Sequence, residues 1–224
     1  MNGILLVDKP EGWTSHDVVA KVRGILKAEA GHKVKVGHTG TLDPAATGLL
    51  VLVVGNYTKK AGDYSKLDKV YEAELTLGAV SSTGDKEGEI IAKSDKKPDL
   101  LEIEAVLSQL KGKIQQIPHA YSAIKVDGKR AYDLARKGQE AKIEPREVTI
   151  YEISDVNYDY PTLKFTTKVS SGTYIRSLAE DIGAALGTGA YLSALRRTCV
   201  GEFDIKNGIK MSNITEVGIS KHLQ

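Results

Sequence analysis

The sequence predicts an α+β protein in which helices pack on a β-sheet. Strand patterns and helix patterns are interspersed along the 224 residues, without the strict alternation of a doubly wound fold. Residues 49–54 are uniformly apolar and rich in β-branched side chains, which is typical of a central strand buried on both faces. Apolar residues make up 41% of the chain and charged residues 27%, so the composition favours a globular core over intrinsic disorder.

Composition and terminal patterns argue against several classes of protein. The single cysteine, Cys199, excludes an internal disulfide and argues against a disulfide-stapled scaffold or a cysteine-rich zinc module. The longest uncharged apolar run, residues 49–54, is far shorter than the roughly 20 residues that a membrane helix needs. The N-terminus lacks the basic segment of a signal peptide. We therefore expect a soluble, cytoplasmic protein with no membrane partner.

In the first third of the chain, residue spacing predicts each element in turn. Residues 3–7 form a short apolar strand that ends at Asp8, and Ser15 is placed to cap a helix. The apolar positions on one face of that helix are Val18, Val19, Val22, Ile25 and Leu26. The elements that follow are a possible strand at 34–36, a loop at 37–48, the buried strand at 49–54, a helix at 58–67 and a half-buried strand at 70–77.

The same rules predict the remaining elements. Residues 81–88 form a turn cluster, and we expect its first five residues to be a surface turn without a role in activity. Residues 100–110 have helical spacing and directly follow Asp99, which is a good N-cap. The later elements are a possible strand at 121–126, a tight turn at 127–128, a short helix at 130–137, strands at 148–156 and 163–170, a helix at 174–186 and a shorter helix at 192–197.

The loop of residues 37–48 is the most unusual stretch of the sequence. Its glycines allow backbone conformations that are closed to other residues, and Pro44 disfavours a helical conformation at Asp43. Asp43 therefore sits on a stiff, irregular loop directly before the buried strand. A carboxylate in that place is either a turn former that bonds its own backbone or a reactive group. The loop lacks the Gly-Lys-Ser/Thr ending of a phosphate-binding P-loop.

A second cluster, residues 170–183, places the end of a strand before the start of a helix. Tyr174 and Arg176 lie in the first turn of that helix, from which side chains can reach a cleft. The alternative is structural, with Tyr174 as a core aromatic residue and Arg176 paired with Glu180 four residues later. His38 is likewise either a loop-capping or a functional histidine, and no companion spacing indicates a metal site.

Charge is distributed unevenly along the chain, although the net charge is only +2. Residues 1–69 and 121–142 each carry a net charge of +3, and residues 70–120 between them carry −3. This distribution permits a local surface for a polyanion such as nucleic acid. The alternative is ordinary solvated charge, because mixed charge is normal on protein surfaces.

Several blocks of the chain resemble one enzyme family. GHTGTLDPAATGLL at residues 37–50 closely resembles the signature of the TruB family of tRNA pseudouridine synthases. The further blocks are LVDKPEGWTSH at 6–16, KVY at 69–71, YSAIK at 121–125, YIRSLAEDIG at 174–183 and LRRT at 195–198. They occur in the family's order over residues 3 to about 204, and together they are highly specific.

The resemblance implies an isomerase that converts uridine 55 in the T loop of tRNA to pseudouridine. It also implies the pseudouridine synthase fold, a mixed, largely antiparallel central sheet flanked by helices, with an inserted thumb segment. No cofactor, no metal and no protein partner are implied, and the partner is the T-arm stem-loop of tRNA.

The resemblance also implies a domain organisation. We expect residues 1–217 to form the catalytic domain, with residues 118–145 as its RNA-binding thumb, and residues 218–224 to be a C-terminal tail. Bacterial members of the family usually continue into a small RNA-binding domain of the PUA type, which we expect to be absent here.

Matched residue by residue, the resemblance assigns roles to positions of this chain. Asp43 matches the catalytic aspartate, Tyr71 the tyrosine that stacks on the flipped base, and His38 the histidine that helps to displace the target nucleotide. The remaining lining of the uridine pocket is matched by Tyr174, Arg176 and Leu195. Less secure matches to contacts with the RNA backbone are Lys9 and Lys59, together with Lys125, Lys129 and Arg130 in the thumb, whose alternative is a solvated helix-turn segment.

The implied chemistry explains why these residue types are needed. Breaking the N1–C1′ bond of uridine and rejoining the base through C5 requires an ionised Asp43 that attacks carbon or removes a sugar proton. We expect Asp43 and Arg176 to form a buried pair, and the Tyr71 hydroxyl either relays the C5 proton or only anchors the ring. The alternative to an enzyme is a non-catalytic protein that binds or folds tRNA through the same grip on the T arm.

Overall fold

The computed structural model describes residues 1–119, 124–126, 128–131, 134, 143–214 and 218–224. These residues form two compact units. Unit 1 contains Met1–Tyr71 and Leu195–Gln224, and unit 2 contains Glu72–Ala194. Most of the basic segment 121–142, including most of the helix predicted at 130–137, lies outside the described residues. The end of the strand predicted at 121–126 is described, at Lys125–Val126.

Strands make up most of the regular structure. The strands are β1 (Gly3–Lys9), β2 (Val36–His38), β3 (Thr47–Val54), β4 (Lys69–Leu77), β5 (Ala79–Ser81), β6 (Ile90–Ala92), β7 (Gly112–Gln116), β8 (Lys125–Val126), β9 (Lys129–Arg130), β10 (Arg146–Asp159), β11 (Thr162–Val169), β12 (Ala190–Val200), β13 (Phe203–Asp204) and β14 (Ile209–Lys210). The α-helices within the described ranges are α1 (Ser15–Ala30), α2 (Ala61–Ser65), α3 (Leu100–Gln109) and α4 (Ile175–Leu186). Short 3-10 helices lie at Gly55–Lys60, Ile205–Asn207, Met211–Asn213 and Ile219–His222.

The sheet of unit 1 is built around β1 and β3. These strands pair antiparallel over the whole length of β1, from Gly3 opposite Val54 to Lys9 opposite Gly48. β14 pairs parallel with β1, and the end of β12 pairs parallel with β3 at Arg196 and Arg197. β2 is antiparallel to β3 and β13 is antiparallel to β12, so the sheet is mixed.

The strand predicted to be buried on both faces is confirmed as β3. Its side chains alternate between two apolar clusters: Leu50 and Leu52 pack on the side of α1, and Leu49 and Val51 pack on the opposite side with Phe203. The helix α1 contributes all five of the apolar positions that the spacing predicted. The side chains of β3 are uniformly apolar because both faces of the strand are buried against other apolar residues.

The start of α1 differs by one residue from the prediction. Thr14 is the N-cap, and its hydroxyl accepts a hydrogen bond from the Asp17 N–H at 3.0 Å while the Asp17 carboxylate accepts from the Thr14 N–H at 2.9 Å. This reciprocal capping box satisfies two backbone donors at the helix start. Ser15 is consequently not needed as a cap, and its side chain is buried instead.

In its described part, unit 2 contains a mostly antiparallel set of strands with the helices α3 and α4. β10 pairs antiparallel with β11 and with β7, and β4 lies next to β11. The predicted cap of α3 is confirmed, because Asp99 accepts a hydrogen bond from the Glu102 N–H at 2.8 Å. α3 packs against α4, which buries Leu178 and Ile182. The prediction of an α+β fold with a mixed, largely antiparallel sheet flanked by helices is confirmed.

Two predicted helices are wrong in whole or in part. Residues 192–197 lie in the strand β12, where pairing with β3 outweighs the local helical spacing of the leucines. Residues 58–67 form a 3-10 turn followed by the short helix α2. Within the described ranges, no helix has the length and apolarity needed to cross a membrane.

Gly48 marks a close backbone approach between β3 and β12. Its φ is +103°, and a Cβ atom there would lie 2.3 Å from the carbonyl oxygen of Arg197 on the paired strand β12. A side chain at this position would therefore be strained and would also push β12 away from β3.

We predict that Gly48→Ala lowers the free energy of unfolding by about 1–3 kcal/mol or more, measured by urea denaturation. The matched control is Gly24→Ala, because Gly24 lies within α1 and has no atom within 4 Å of an added Cβ. That control should raise the stability by about 0.5–1 kcal/mol. Equal effects of the two substitutions would contradict the close approach of β12 to Gly48.

Candidate active site

The loop that carries Asp43 is held on its C-terminal side at Pro44. The amine of Lys9 donates a hydrogen bond to the carbonyl oxygen of Pro44 at 3.3 Å, and the N–H of Gly12 donates to the same oxygen at 2.9 Å. The Lys9 amine also donates to two carbonyl oxygens of the loop that follows β1, at 3.0 and 2.6 Å. The residue after Asp43 is therefore tied to the end of β1.

The residue before Asp43 is held by Ser15. The Ser15 hydroxyl donates to the carbonyl oxygen of Leu42 at 3.0 Å and accepts from the N–H of Leu42 at 2.8 Å. The Ala46 N–H donates to the carbonyl oxygen of Asp43 at 3.1 Å, which closes a turn. Both backbone neighbours of Asp43 are thus fixed by side chains that come from other elements.

Arg197 holds the beginning of the same loop from β12. Its guanidinium donates to the carbonyl oxygens of Gly40 at 3.0 Å, Thr41 at 3.4 Å and Leu49 at 2.8 Å, and the residue is only 2% exposed. A buried guanidinium has five N–H donors to satisfy, and this loop together with Leu49 of β3 supplies carbonyl oxygens for them. Lys9, Ser15 and Arg197 therefore set the loop geometry from three elements of unit 1.

His38 lies at the end of β2, just before this loop. Its Nδ1 atom is buried, and no group in the described part of the chain forms a hydrogen bond with it. Burial lowers the pKa of His38, and the nearby positive charge of Arg197 and the His16 ring lower it further. The imidazole is consequently neutral at physiological pH, with one polar atom available to a ligand.

The other predicted site residues of unit 1 lie on three elements. Tyr71 is buried in β4, and Leu195 is half-buried in β12, where its carbonyl oxygen accepts a 3.4 Å hydrogen bond from the Thr47 hydroxyl. Lys69 is the first residue of β4. Burial lowers its pKa to about 8, and the positive charge of Arg197 is the second cause. Lys59 is exposed in a 3-10 turn, as a contact with an RNA phosphate requires.

The structure corrects the less secure prediction for Lys9. This residue is 0% exposed, and its amine donates to three backbone carbonyl oxygens. A fully buried amine directed at the chain's own carbonyls is not presented to an RNA backbone. Lys9 is therefore an internal anchor of the loop that carries Asp43.

In unit 2, Arg176 is oriented by the turn that follows β5. Its guanidinium donates to the carbonyl oxygen of Thr83 at 3.0 Å and lies 3.5 Å from the carboxylate of Asp85. That carboxylate also accepts from the Thr83 hydroxyl at 2.6 Å and from the N–H of Glu87 at 3.1 Å. The side chains of Arg176 and Asp85 are each 8% exposed, so this is a buried ion pair.

The surface turn predicted at residues 81–85 is therefore wrong, because Asp85 is buried against a predicted site residue. Gly84 allows the turn to pack, since its φ is +72° and an added Cβ would lie 3.1 Å from the His119 ring. The sequence pattern that could have indicated this burial is the position of Asp85 between two glycines, Gly84 and Gly88. Glu180, the partner of Arg176 in the structural alternative, lies 3.4 Å from His119.

Tyr174 is the N-cap residue of α4, and Gln116 fixes its backbone. The Tyr174 N–H donates to the Gln116 side-chain oxygen at 2.8 Å, and the Gln116 amide donates back to the Tyr174 carbonyl oxygen at 3.1 Å. The guanidinium of Arg146 lies 5.8 Å from the centroid of the Tyr174 ring, a cation–π distance. Sequence reasoning missed Gln116 and Arg146, which are distant in sequence from the helix that they contact.

Other predicted site features stay predictions. The pair of Asp43 with Arg176 involves one residue from each unit, and the side chains of Lys125, Lys129 and Arg130 lie outside the described residues. No group of three or more His, Cys, Asp or Glu side chains in the described ranges is arranged to hold a metal ion.

Comparison with known families decides the classification. The profile "TruB family pseudouridylate synthase (N terminal domain)" matches residues 23–175, and "tRNA pseudouridylate synthase B C-terminal domain" matches residues 176–222. The chain belongs to the TruB family. The prediction that it is a pseudouridine synthase is thereby confirmed. The expected division into catalytic domain, thumb and tail stays a prediction.

Curated relatives in the TruB family are similar over nearly the whole chain. The tRNA pseudouridine synthase B of Cupriavidus metallidurans is 45% identical over 216 residues, which cover 96% of this chain and 67% of that protein. The tRNA pseudouridine synthase B of Clostridium kluyveri is 46% identical over 226 residues, which cover 100% of this chain and 75% of that protein.

Solved structures confirm the pseudouridine synthase fold. A chain in a crystal structure of a Cbf5–Nop10–Gar1 complex matches with a TM-score of 0.73 and 31% identity, covering 95% of this chain and 53% of that chain. A chain in a structure of an H/ACA RNP bound to a substrate RNA containing 2′-deoxyuridine matches with a TM-score of 0.69 and 29% identity, covering 95% and 52%. This TruB family chain spans about half the length of those two chains.

We predict that Ser15→Ala lowers the free energy of unfolding by about 1–3 kcal/mol, because it removes both hydrogen bonds to the buried Leu42 backbone. Denaturation in urea measures the loss. Ser65→Ala is the matched control, since Ser65 is exposed and bonds only locally to Gly62. If both variants unfold at the wild-type urea concentration, Ser15 does not anchor the loop.

We also predict that Asp85→Asn costs about 3–5 kcal/mol, the usual penalty for removing one member of a buried ion pair. Glu87→Gln removes the same charge from an exposed position two residues away and should change the stability little. Urea denaturation of both variants tests the difference. A loss as large in Glu87→Gln would show that net charge, and not the pair with Arg176, is responsible.

Proposed function

We propose that this chain isomerises uridine 55 in the T loop of tRNA to pseudouridine. The family and its curated relatives, which are named tRNA pseudouridine synthase B, support this substrate. The observation that carries the proposal is the position of Asp43 between two backbone anchors, Ser15 at Leu42 and Lys9 at Pro44. A carboxylate on a loop held in this way is suited to a defined reaction geometry.

The first step is extrusion of the target uridine from its stack. Leaving the stack costs on the order of a few kcal/mol, and an aromatic side chain that stacks on the base returns about 1–3 kcal/mol. We assign this stacking to Tyr71. We assign to His38 the filling of the gap that the nucleotide leaves, and its buried, unbonded Nδ1 supports a hydrogen bond to RNA there.

The second step is cleavage of the N1–C1′ bond. An ionised Asp43 either attacks C1′, so that the uracil anion departs, or removes the C2′ proton, so that the sugar expels the same anion. The base then turns, and its C5 atom forms the new bond to C1′. On the first route the Asp43 carboxylate leaves C1′ as that bond forms, and on the second route Asp43 returns its proton to C2′. N1 takes up a proton when C5 later loses its own. We assign to the buried Arg176 the balancing of the Asp43 charge.

The last step removes the proton from C5 of the rejoined base. The Tyr71 hydroxyl is the proposed relay for this proton, because the residue that stacks on the base is within reach of its atoms. Lys59, Lys125, Lys129 and Arg130 are the proposed contacts with phosphates of the T arm. Such contacts make RNA affinity fall steeply with added salt.

We predict that Asp43→Asn abolishes tritium release from a T-arm stem-loop RNA that carries 5-tritiated uridine. The rate should fall on the order of 10³-fold or more, since the residue that makes or removes a bond is lost. RNA affinity, measured by filter binding, should persist. Asp63→Asn is the matched control, because Asp63 is an exposed aspartate of α2 in the same unit.

Each outcome of this assay discriminates between functions. Release that is lost only in Asp43→Asn supports the isomerase. Wild-type protein that binds the RNA but releases no tritium supports a non-catalytic tRNA-binding or tRNA-folding protein. Release that persists in Asp43→Asn overturns the role of that residue.

A further inference from the structure

A basic cavity of about 410 Å³ lies in unit 1, outside the residues to which the reaction has been assigned. Pockets that bind small ligands typically enclose about 300–1,000 Å³. The walls come from the end of β1 and the loop that follows it, from α1, β3 and β12, and from the end of β14 with the 3-10 helix after it. Lys9 and Thr47 contribute to the wall, so the cavity adjoins the anchors of the loop that carries Asp43.

Two exposed cations remain for a ligand at this cavity. Arg196 is already matched, because it donates to both carboxylate oxygens of Asp8 at 3.1 and 2.8 Å. The amine of Lys21 lies 5.5 Å from the centroid of the Trp13 ring. The side-chain amine of Lys210 forms no hydrogen bond or ion pair with the described part of the chain. Lys21 and Lys210 thus present two positive charges that no carboxylate of the cavity neutralises.

The remaining wall is not that of a simple anion site. Trp13 is half-buried and Met211 is buried, which gives the cavity an aromatic and apolar side. The hydroxyls of Thr47 and Ser212 also line it, and each can donate or accept a hydrogen bond. A ligand that uses all of these groups carries a phosphate, a flat ring and sugar hydroxyls, which together describe a nucleotide.

We propose that this cavity binds a second nucleotide of the RNA substrate, distinct from the uridine that reacts. Its phosphate lies between Lys21 and Lys210, and its base or ribose packs against Trp13. Single-stranded RNA is generally recognised in this way, by cations at the backbone and by aromatic stacking of unpaired bases. The proposal rests on the proposed function only in taking RNA as the substrate.

Such a site would link the grip on RNA to the position of the reactive loop. Lys9 lines the cavity and also donates to Pro44, the residue after Asp43. A nucleotide held there would lie beside the residue that anchors the loop of Asp43. The end of β1 would then help to position both the reacting uridine and the second nucleotide.

The test uses the fact that Trp13 is the only tryptophan of the chain, so intrinsic fluorescence reports directly on the cavity. The full chain is titrated with a T-arm stem-loop RNA, with uridine 5′-monophosphate and with inorganic phosphate. We expect the RNA to quench Trp13 at far lower concentrations than either small molecule. In Lys21→Ala/Lys210→Ala, RNA binding should weaken at least about tenfold, and the slope of log K against log salt should fall by about 0.7, for the one phosphate that the two lysines hold.

The control removes the same charge elsewhere in unit 1. Lys33→Ala/Lys206→Ala changes two exposed lysines that do not line the cavity, and it should bind RNA as the wild type does. Tritium release at saturating RNA should proceed at the wild-type rate in this control variant. Equal weakening in both double variants would overturn the proposal, since it would reflect net charge alone.

Two further results would also overturn the proposal. RNA binding without any change in Trp13 fluorescence would show that the cavity stays empty. Quenching by uridine 5′-monophosphate as tight as that by RNA would identify a site for a free nucleotide. Quenching that needs Lys21 and Lys210 in a protein that releases no tritium would support the cavity while contradicting the isomerase, so the two failures are distinguishable.

Discussion

The chemistry of this chain depends on a short irregular loop whose backbone is held by buried polar side chains. A loop outside a sheet or helix has carbonyl and N–H groups without ladder partners, and burying such groups unbonded is costly. Here three side chains form hydrogen bonds with those backbone groups: the Lys9 amine from β1, the Ser15 hydroxyl from α1 and the Arg197 guanidinium from β12. Asp43 therefore has a defined backbone position before any substrate binds.

The register of the sheet in unit 1 brings Arg197 to that loop. Arg197 lies opposite Gly48 in the parallel pair of β12 and β3, and the absence of a side chain at Gly48 allows the two backbones to approach. A shift by one residue would turn Arg197 to the other face of the sheet, away from Gly40. The geometry of the loop therefore depends on the register of the pairing between β12 and β3.

Local patterns predict the elements that local physics decides, and they fail where distant contacts decide. The burial of β3 and the cap at Asp99 follow from spacing and hydrogen-bonding residue types, and both are confirmed. Residues 192–197 have helical spacing, yet pairing with β3 makes them a strand. Asp85 lies in a turn and Lys9 ends β1, and exposure is the usual expectation for both residue types. Their burial involves partners 91 and 35 residues away, Arg176 and Pro44.

Each of the two charged groups assigned to the reaction is oriented by partners within its own unit. Thr83 and Asp85 hold the Arg176 guanidinium in unit 2, and the anchors at Leu42 and Pro44 hold the Asp43 backbone in unit 1. Groups oriented in advance need little reorganisation when charge develops in a transition state. The contribution left to RNA binding is therefore extraction and placement of the uridine, so selectivity among uridines depends on contacts that grip the surrounding nucleotides.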